Sequence, residues 1–191
     1  MCHRKPLAFA VGLVLAMAAY RSPSSVEKKN IEGETKKKIV LPEGGMCSPL
    51  AGQIVPLTEV PDAVFASECM GKGVAIEPSE GRVVAPADGT VATMFPTGHA
   101  VGLKLDDGRE LLIHVGMDTV QLEGKYFKTM VTQGDKVKAG QTLIEFYPEK
   151  IRAAGYRTIT PVVVNNTADY EKVSVTNAGS VNFDELLLTT V

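Results

Sequence analysis

The chain has 191 residues, and its 20 basic against 22 acidic side chains give a formal net charge of -2. This length suits one domain of roughly 100–150 residues with a tail, and a near-neutral chain lacks the positive field that attracts nucleic acid phosphates, so nucleic acid is not an expected partner. The three cysteines (Cys2, Cys47 and Cys69) are an odd number without a close pair, which argues against a disulfide framework or a cysteine-based zinc cluster.

The N-terminus predicts two segments outside the folded domain. Residues 1–20 are hydrophobic: two basic residues precede an apolar run from Pro6 to Tyr20, which is shorter than the ~20 residues of a standard spanning helix. The segment resembles a secretory signal peptide, and an interfacial anchor or a remnant of an upstream domain are the alternatives. Residues 21–40 are charged and lack apolar periodicity, which indicates a linker. We expect the folded domain to occupy residues 41–191.

Short runs rich in Val, Ile and Leu follow Ile39 and alternate with Gly, Pro and Asp clusters. A spacing of roughly eight to twelve residues between such runs is typical of a sandwich or barrel. The predicted strands are Gln53–Pro56, Val74–Glu77, Arg82–Ala85, Thr90–Met94, Ala100–Leu105, Glu110–Val115, Thr142–Phe146, Pro161–Asn165 and Gly179–Asn182. One short helix is predicted at Pro148–Gly155, since Pro suits a first turn and Gly a helix end. The pattern predicts an all-β fold, an antiparallel β-sandwich or barrel-like structure with short helical turns.

A weak internal duplication accompanies these strands. Residues 48–54 (SPLAGQI) and 85–91 (APADGTV) keep Pro and Gly at the same spacing. The shared pattern predicts a turn, in which Pro fixes φ and Gly is available for a positive φ, followed by an apolar strand. Two copies of so short a pattern can also arise by chance.

Two of the three histidines, His99 and His114, flank a predicted hairpin. If Asp107 and Gly108 form a two-residue loop, as an Asp-Gly step favours, Val101 pairs with His114. His99 then becomes a diagonal neighbour of His114, ~7–8 Å away on the same face. Shifting the turn by one residue at each end would make the histidines direct partners, whereas a three-residue loop would place them on opposite faces.

The predicted pairing gives the imidazoles apolar surroundings, because Val101, Leu103 and Leu112 would share their face. Such surroundings disfavour the charged imidazolium. A neutral imidazole can attack a phosphorus atom, and a second His or a Thr hydroxyl can hydrogen-bond the transferred oxygens. The pair therefore favours phosphoryl transfer.

Two other interpretations of the histidines stay open. A single His in a strand is usually a structural residue. His99 and His114 could also bind zinc, but no third ligand stands at an obvious spacing, which leaves a metal held across a partner interface. No Walker pattern is present, and we expect no cofactor.

Several motifs resemble the glucose-type enzyme IIA domain of the bacterial phosphoenolpyruvate-dependent sugar phosphotransferase system. The resemblance covers the chain from about Met46 to its end. The motifs that carry it are Leu111–Val120 (LLIHVGMDTV), Thr97–His99 (TGH), Ala85–Val91 (APADGTV), Gly134–Gln141 (GDKVKAGQ) and Thr160–Val163 (TPVV).

The resemblance implies a role for each residue of the site. His114 would accept the phosphoryl group, His99 would stabilise the phosphate, and Thr97 would orient His99. The phosphocarrier HPr would supply the phosphoryl group, and a cysteine of enzyme IIB, working with a membrane IIC component, would receive it. Partners would dock at a shallow apolar depression in an antiparallel β-sandwich. The residues expected to contact partners are Val101, Leu112, Gly116, Asp118 and Val120.

The resemblance also implies a cytoplasmic location, with membrane association only through a partner or through residues 1–20. A signal peptide would instead separate the chain from HPr. Residues 21–40 could equally connect to membrane and cysteine-bearing domains, which members of this family often carry in one chain.

Three rival functions remain at the level of sequence. A biotinyl- or lipoyl-type carrier would share the pattern of Gly134–Leu143, but the carrier lysine on a tight turn is missing. An exported zinc-dependent hydrolase of the lysostaphin type would agree with a signal peptide, but its His-x-His step is absent. A non-catalytic regulatory docking domain would differ only in what His114 does.

Overall fold

The computed structural model of the protein describes residues 41–191. The hydrophobic segment and the linker predicted for residues 1–20 and 21–40 lie outside the described residues. Two short α-helices, α1 (Ala63–Ala66) and α2 (Pro148–Ala153), join the strands. The strands are β1 (Gly45–Cys47), β2 (Gly52–Val55), β3 (Lys72–Pro78), β4 (Arg82–Val84), β5 (Gly89–Met94), β6 (Ala100–Leu105), β7 (Glu110–His114), β8 (Phe127–Thr129), β9 (Lys136–Val137), β10 (Thr142–Phe146), β11 (Thr160–Val164), β12 (Val173–Val175), β13 (Ser180–Val181) and β14 (Leu186–Thr190).

The described strands form antiparallel sheets. An eight-stranded sheet has the order β13-β2-β3-β11-β7-β6-β5-β9, and two three-stranded sheets have the orders β1-β14-β12 and β4-β10-β8. The prediction of an all-β antiparallel sandwich with short helical turns is confirmed. Every predicted strand overlaps an observed one, and the helix predicted at Pro148–Gly155 is α2.

The large sheet has a different hydrophobic cluster on each face. Side chains alternate between the two faces of a strand, so Val101, Leu103 and Ile113 enter the main core. Leu112 packs instead against a smaller cluster, which comprises Leu57, Val60, Phe65, Ala75, Met117, Ile159 and Val163. His114 has the same parity along β7 as Leu112 and therefore lies on the face of the smaller cluster. The prediction that His114 shares its face with Val101 and Leu103 was wrong.

The reason for that error is the loop between β6 and β7. The Leu105 N–H donates to the Arg109 carbonyl at 2.8 Å, so the loop contains three residues and not the predicted two. Gly108 occupies its last position with φ +94°, which is the usual geometry of a type I turn followed by a left-handed residue. Ala100, and not Val101, pairs with His114 as a result.

Each of the two repeated segments contains a glycine that begins a strand, Gly52 for β2 and Gly89 for β5. Neither glycine has the positive φ that the sequence suggested. A Cβ at Gly52 would lie 2.1 Å from the Glu77 carbonyl oxygen, and one at Gly89 would lie 2.5 Å from that of Lys104. Both positions need glycine because a neighbouring strand approaches closely.

Within residues 41–191, neither helix has the length and apolar character needed to cross a membrane.

Candidate functional site

The two histidines meet at one end of the β6–β7 hairpin. Their ring centroids are 4.8 Å apart and the ring planes stand at 78° to each other. The three-residue loop was expected to separate them, and that expectation was wrong. His99 precedes β6 and follows Gly98, whose φ is +68°, so the strict alternation of a strand does not govern its direction. The backbone still holds the pair, since the Val115 N–H donates to the His99 carbonyl at 2.7 Å.

A backbone carbonyl fixes the proton of His114. Nδ1 of His114 lies 2.8 Å from the carbonyl oxygen of Gly116. A carbonyl can only accept a hydrogen bond, so Nδ1 carries the proton and Nε2 keeps its lone pair. Gly116 has φ +74°, and a Cβ there would lie 2.5 Å from the Arg157 carbonyl oxygen, so glycine is required at this turn.

His99 is held by a hydroxyl instead. Thr97 Oγ1 lies 2.5 Å from His99 Nδ1, and His99 is 4% exposed. A hydroxyl can donate or accept. When Thr97 donates to Nδ1, the proton of His99 is on Nε2 and is available as a donor.

Both rings favour the neutral form. Burial, with a further contribution from the charge of His114, lowers the pKa of His99 to about 4. Burial also lowers the pKa of His114, against the opposing effects of the hydrogen bond to Gly116 and the charges of Asp62 and Asp118. Two neutral imidazoles at neutral pH supply one nucleophilic nitrogen and one hydrogen-bond donor.

Two aromatic rings that were not predicted from the sequence flank the histidines. Phe65 of α1 lies 5.5 Å from His114, and Phe95, just after β5, lies 5.5 Å from His99, measured between ring centroids. Asp62 begins α1 by accepting hydrogen bonds from the Val64 and Phe65 amides at 2.9 and 3.1 Å. The Asp62 cap preceding an apolar stretch was the only sequence signal for this helix.

Apolar side chains are exposed on α1, which contacts His114 through Phe65, and on the segment that follows Gly116. Val64 is 49% exposed and Val120 is 51% exposed. A groove of about 350 Å³ is lined in part by Met70, Phe95 and Leu112; neither histidine lines it, and Phe95 connects it to the site through its contact with His99. This exposed apolar surface beside a reactive nitrogen is suited to protein docking.

The residues expected to contact partners occupy different environments. Asp118 and Val120 are exposed, Leu112 is half-buried and Gly116 is buried in the turn. Val101 is fully buried in the main core on the far side of the sheet. A direct partner contact through Val101 is therefore excluded, because the corrected register turns its side chain inward.

The described part of the chain, residues 41–191, contains no cluster of three or more His, Cys, Asp or Glu side chains that could hold a metal ion.

Comparisons with known proteins agree on one family. The family model for the phosphoenolpyruvate-dependent sugar phosphotransferase system, EIIA 1, matches residues 45–170. The glucose-specific EIIA component of Bacillus cereus is 48% identical over 134 residues, which cover 70% of this chain and 81% of that protein. The solved structure of glucose permease IIA from Mycoplasma capricolum matches with a TM-score of 0.70 and 32% identity, over 75% of this chain and 93% of that one.

Longer relatives contain the matching region as one part. The β-glucoside-specific EIIBCA component of Bacillus subtilis (strain 168) is 43% identical over 182 residues, which cover 93% of this chain but 30% of that protein. The chain thus spans less than a third of the length of such relatives.

Proposed function

The chain belongs to the EIIA 1 family of the phosphoenolpyruvate-dependent sugar phosphotransferase system, and from that premise we propose that it is a phosphorelay component of sugar uptake. It accepts a phosphoryl group from HPr on His114 and passes it to a cysteine of enzyme IIB, which works with a membrane IIC component. The observation that carries the proposal is the hydrogen bond from His114 Nδ1 to Gly116, because it leaves Nε2 as the nucleophile beside a second neutral imidazole.

In the accepting step, the Nε2 lone pair of His114 attacks the phosphorus atom of the donor. A bond forms between Nε2 and phosphorus while the bond between phosphorus and the HPr atom that carried it breaks, and that HPr atom keeps the bonding electron pair. The Nδ1 proton stays in place, so the ring becomes an imidazolium. The Gly116 carbonyl accepts that proton's hydrogen bond and stabilises the positive charge.

His99 stabilises the phosphoryl oxygens through an N–H on Nε2. This role needs a neutral ring with its proton on Nε2, which the Thr97 hydroxyl supports when it donates to Nδ1. The lowered pKa of His99 keeps the ring neutral. A preorganised donor of this kind lowers the barrier to transfer without adding a second fixed charge.

Two carboxylates keep the phosphoryl group transferable. Asp62 and Asp118 both act electrostatically on His114. Their negative charges stabilise the imidazolium but repel the dianionic phosphoryl group, so the phosphorylated protein is less stable than it would be beside neutral side chains. That repulsion favours onward transfer to enzyme IIB.

The apolar rim is the proposed docking surface for HPr and enzyme IIB in turn. It consists of Val64, Met70, Leu112 and Val120, with Asp118 as its charged member. An exposed apolar patch with few charges can serve two different partners, because little desolvation of charge is required. A regulatory docking domain would use the same surface without phosphorylation of His114.

Reconstituted transfer from phosphoenolpyruvate through enzyme I and HPr tests the proposal. We expect the wild type and the control variant His3→Ala to gain acid-labile label, and His114→Ala to gain none. His99→Ala is expected to retain label that enzyme IIB receives much more slowly. An unlabelled wild type would overturn the relay function and favour the regulatory one.

A further inference from the structure

We propose that Thr119 is a positioning residue whose hydroxyl determines which imidazole nitrogen of His114 accepts the phosphoryl group. The inference rests on the proposed function of His114. Thr119 forms no hydrogen bond with either histidine. It acts through the turn that follows His114.

The first observation is a buried hydroxyl. Thr119 is 0% exposed, and its Oγ1 donates to the Val115 carbonyl at 2.6 Å. A buried hydroxyl needs a hydrogen-bond partner, and removal of the Thr119 hydroxyl leaves the Val115 carbonyl without this donor. The bond fixes the peptide group between Val115 and Gly116.

The second observation is a close contact of the Thr119 methyl group. A Cβ placed on Gly116 would lie 2.6 Å from Thr119 Cγ2, so the methyl group packs directly against the Gly116 backbone. The next peptide group is held from the other side, where the Met117 N–H donates to the Arg157 carbonyl at 3.1 Å.

These contacts hold two successive peptide groups, and they orient the one carbonyl that accepts from His114 Nδ1. The orientation of the Gly116 carbonyl sets the tautomer of His114, because a turned carbonyl releases the Nδ1 proton. Thr119 thereby keeps Nε2 free and Nδ1 blocked.

Two variants separate the contributions of the hydroxyl and the methyl group. Thr119→Val keeps the shape and removes the hydroxyl, whereas Thr119→Ser keeps the hydroxyl. Ser48→Ala is the matched control, since Ser48 is also buried, donates to the Leu50 carbonyl at 2.6 Å and follows β1, outside the sheet of the histidines. A thermal unfolding curve for each variant establishes that it is folded.

The readout is the tautomer of His114, measured by long-range proton–nitrogen NMR on the unphosphorylated protein. We expect the Nδ1–H form in the wild type, Thr119→Ser and Ser48→Ala, and a mixture of both forms in Thr119→Val. In phosphorylated Thr119→Val, phosphorus NMR should show some phosphoryl group on Nδ1, and the rate of transfer to Nε2 should fall about tenfold.

A wild-type tautomer and wild-type rate in Thr119→Val would overturn the inference. A mixed tautomer in Thr119→Ser would also overturn it, because the hydroxyl would not be the determinant. The tautomer measurement needs no phosphate, so a wild type that accepts no phosphoryl group would contradict the proposed function alone.

Discussion

The chemistry of the site depends on two neutral imidazoles that have different hydrogen-bond partners. His114 is held by a carbonyl and His99 by a hydroxyl, and both pKa values are lowered mainly by burial. The carbonyl permits one tautomer, whereas the hydroxyl adapts to either. This asymmetry suits a nucleophile next to a donor.

The lowered pKa of His99 predicts a specific pH dependence of stability. The unfolded chain has a His pKa near 6.5 and the folded protein one of about 4, so the unfolded state binds more protons between these values and stability falls as the pH falls. From about pH 7 to about pH 5, the free energy of unfolding should drop about 2 kcal/mol more in the wild type than in His99→Gln. Denaturant unfolding at both pH values measures the difference.

Equal drops in the two proteins would show that His99 titrates normally in the folded state. The carboxylates titrate in both proteins, so their effect cancels in the comparison.

At the scale of single residues, part of the site could be predicted from the sequence. The two histidines were singled out by their positions beside the predicted hairpin, and Thr97 was singled out by the resemblance of its motif to the enzyme IIA family. Phe65 and Phe95 were not, because their contacts with the imidazoles depend on where α1 and the chain after β5 pack. Apolar surroundings were expected from Val101 and Leu103, but other residues supply them, since the pairing differs by one residue.

At the scale of elements, α1 packs Phe65 against His114 and is stabilised by its N-cap. Asp62 accepts from two amides and also acts on the charge of His114. Asp62→Ala should lower the free energy of unfolding by about 1 kcal/mol, because an N-cap is lost. Asp62→Asn should retain stability, because Asn also caps helices. Denaturant unfolding compares the three proteins.

The same pair of variants separates capping from charge. Both should lower the pKa of His114 further, since both remove the carboxylate that raises it; NMR titration measures this shift. An unchanged pKa of His114 in Asp62→Asn would contradict the electrostatic role of Asp62.

Strands with clear apolar runs between turns were predicted, including Ala100–Leu105 and Thr142–Phe146 with their observed bounds. The short strands β8 and β9 were missed because their few residues are largely polar and take their structure from neighbouring strands. The run at β14 was missed because consecutive leucines lack the alternation that separates a strand from a helix. The hairpin register was missed because an Asp-Gly step fits loops of either length.

At the scale of the whole molecule, the large sheet separates the main core from the candidate site. One face is committed to the main core, and the other carries the histidines and the exposed apolar rim. The proposed docking surface therefore lies on the face opposite the main core.

A substitution on the rim should weaken docking and leave folding unchanged. Val120→Asn should raise the Kd for HPr about tenfold, because an apolar contact is replaced by a polar side chain that needs water. Val191→Asn is the control, since Val191 is 71% exposed and follows β14 in another sheet. Isothermal titration calorimetry measures both Kd values. Equal Kd values would remove Val120 from the docking surface.

The most direct test of the account is phosphorus NMR of the protein after incubation with phosphoenolpyruvate, enzyme I and HPr. The geometry of His114 predicts one signal, that of a phosphoryl group on Nε2 of a histidine, present in the wild type and in His99→Gln and absent in His114→Gln. A signal that persists in His114→Gln and disappears in His99→Gln would make His99 the acceptor, and it would contradict the assignment of the nucleophile to His114.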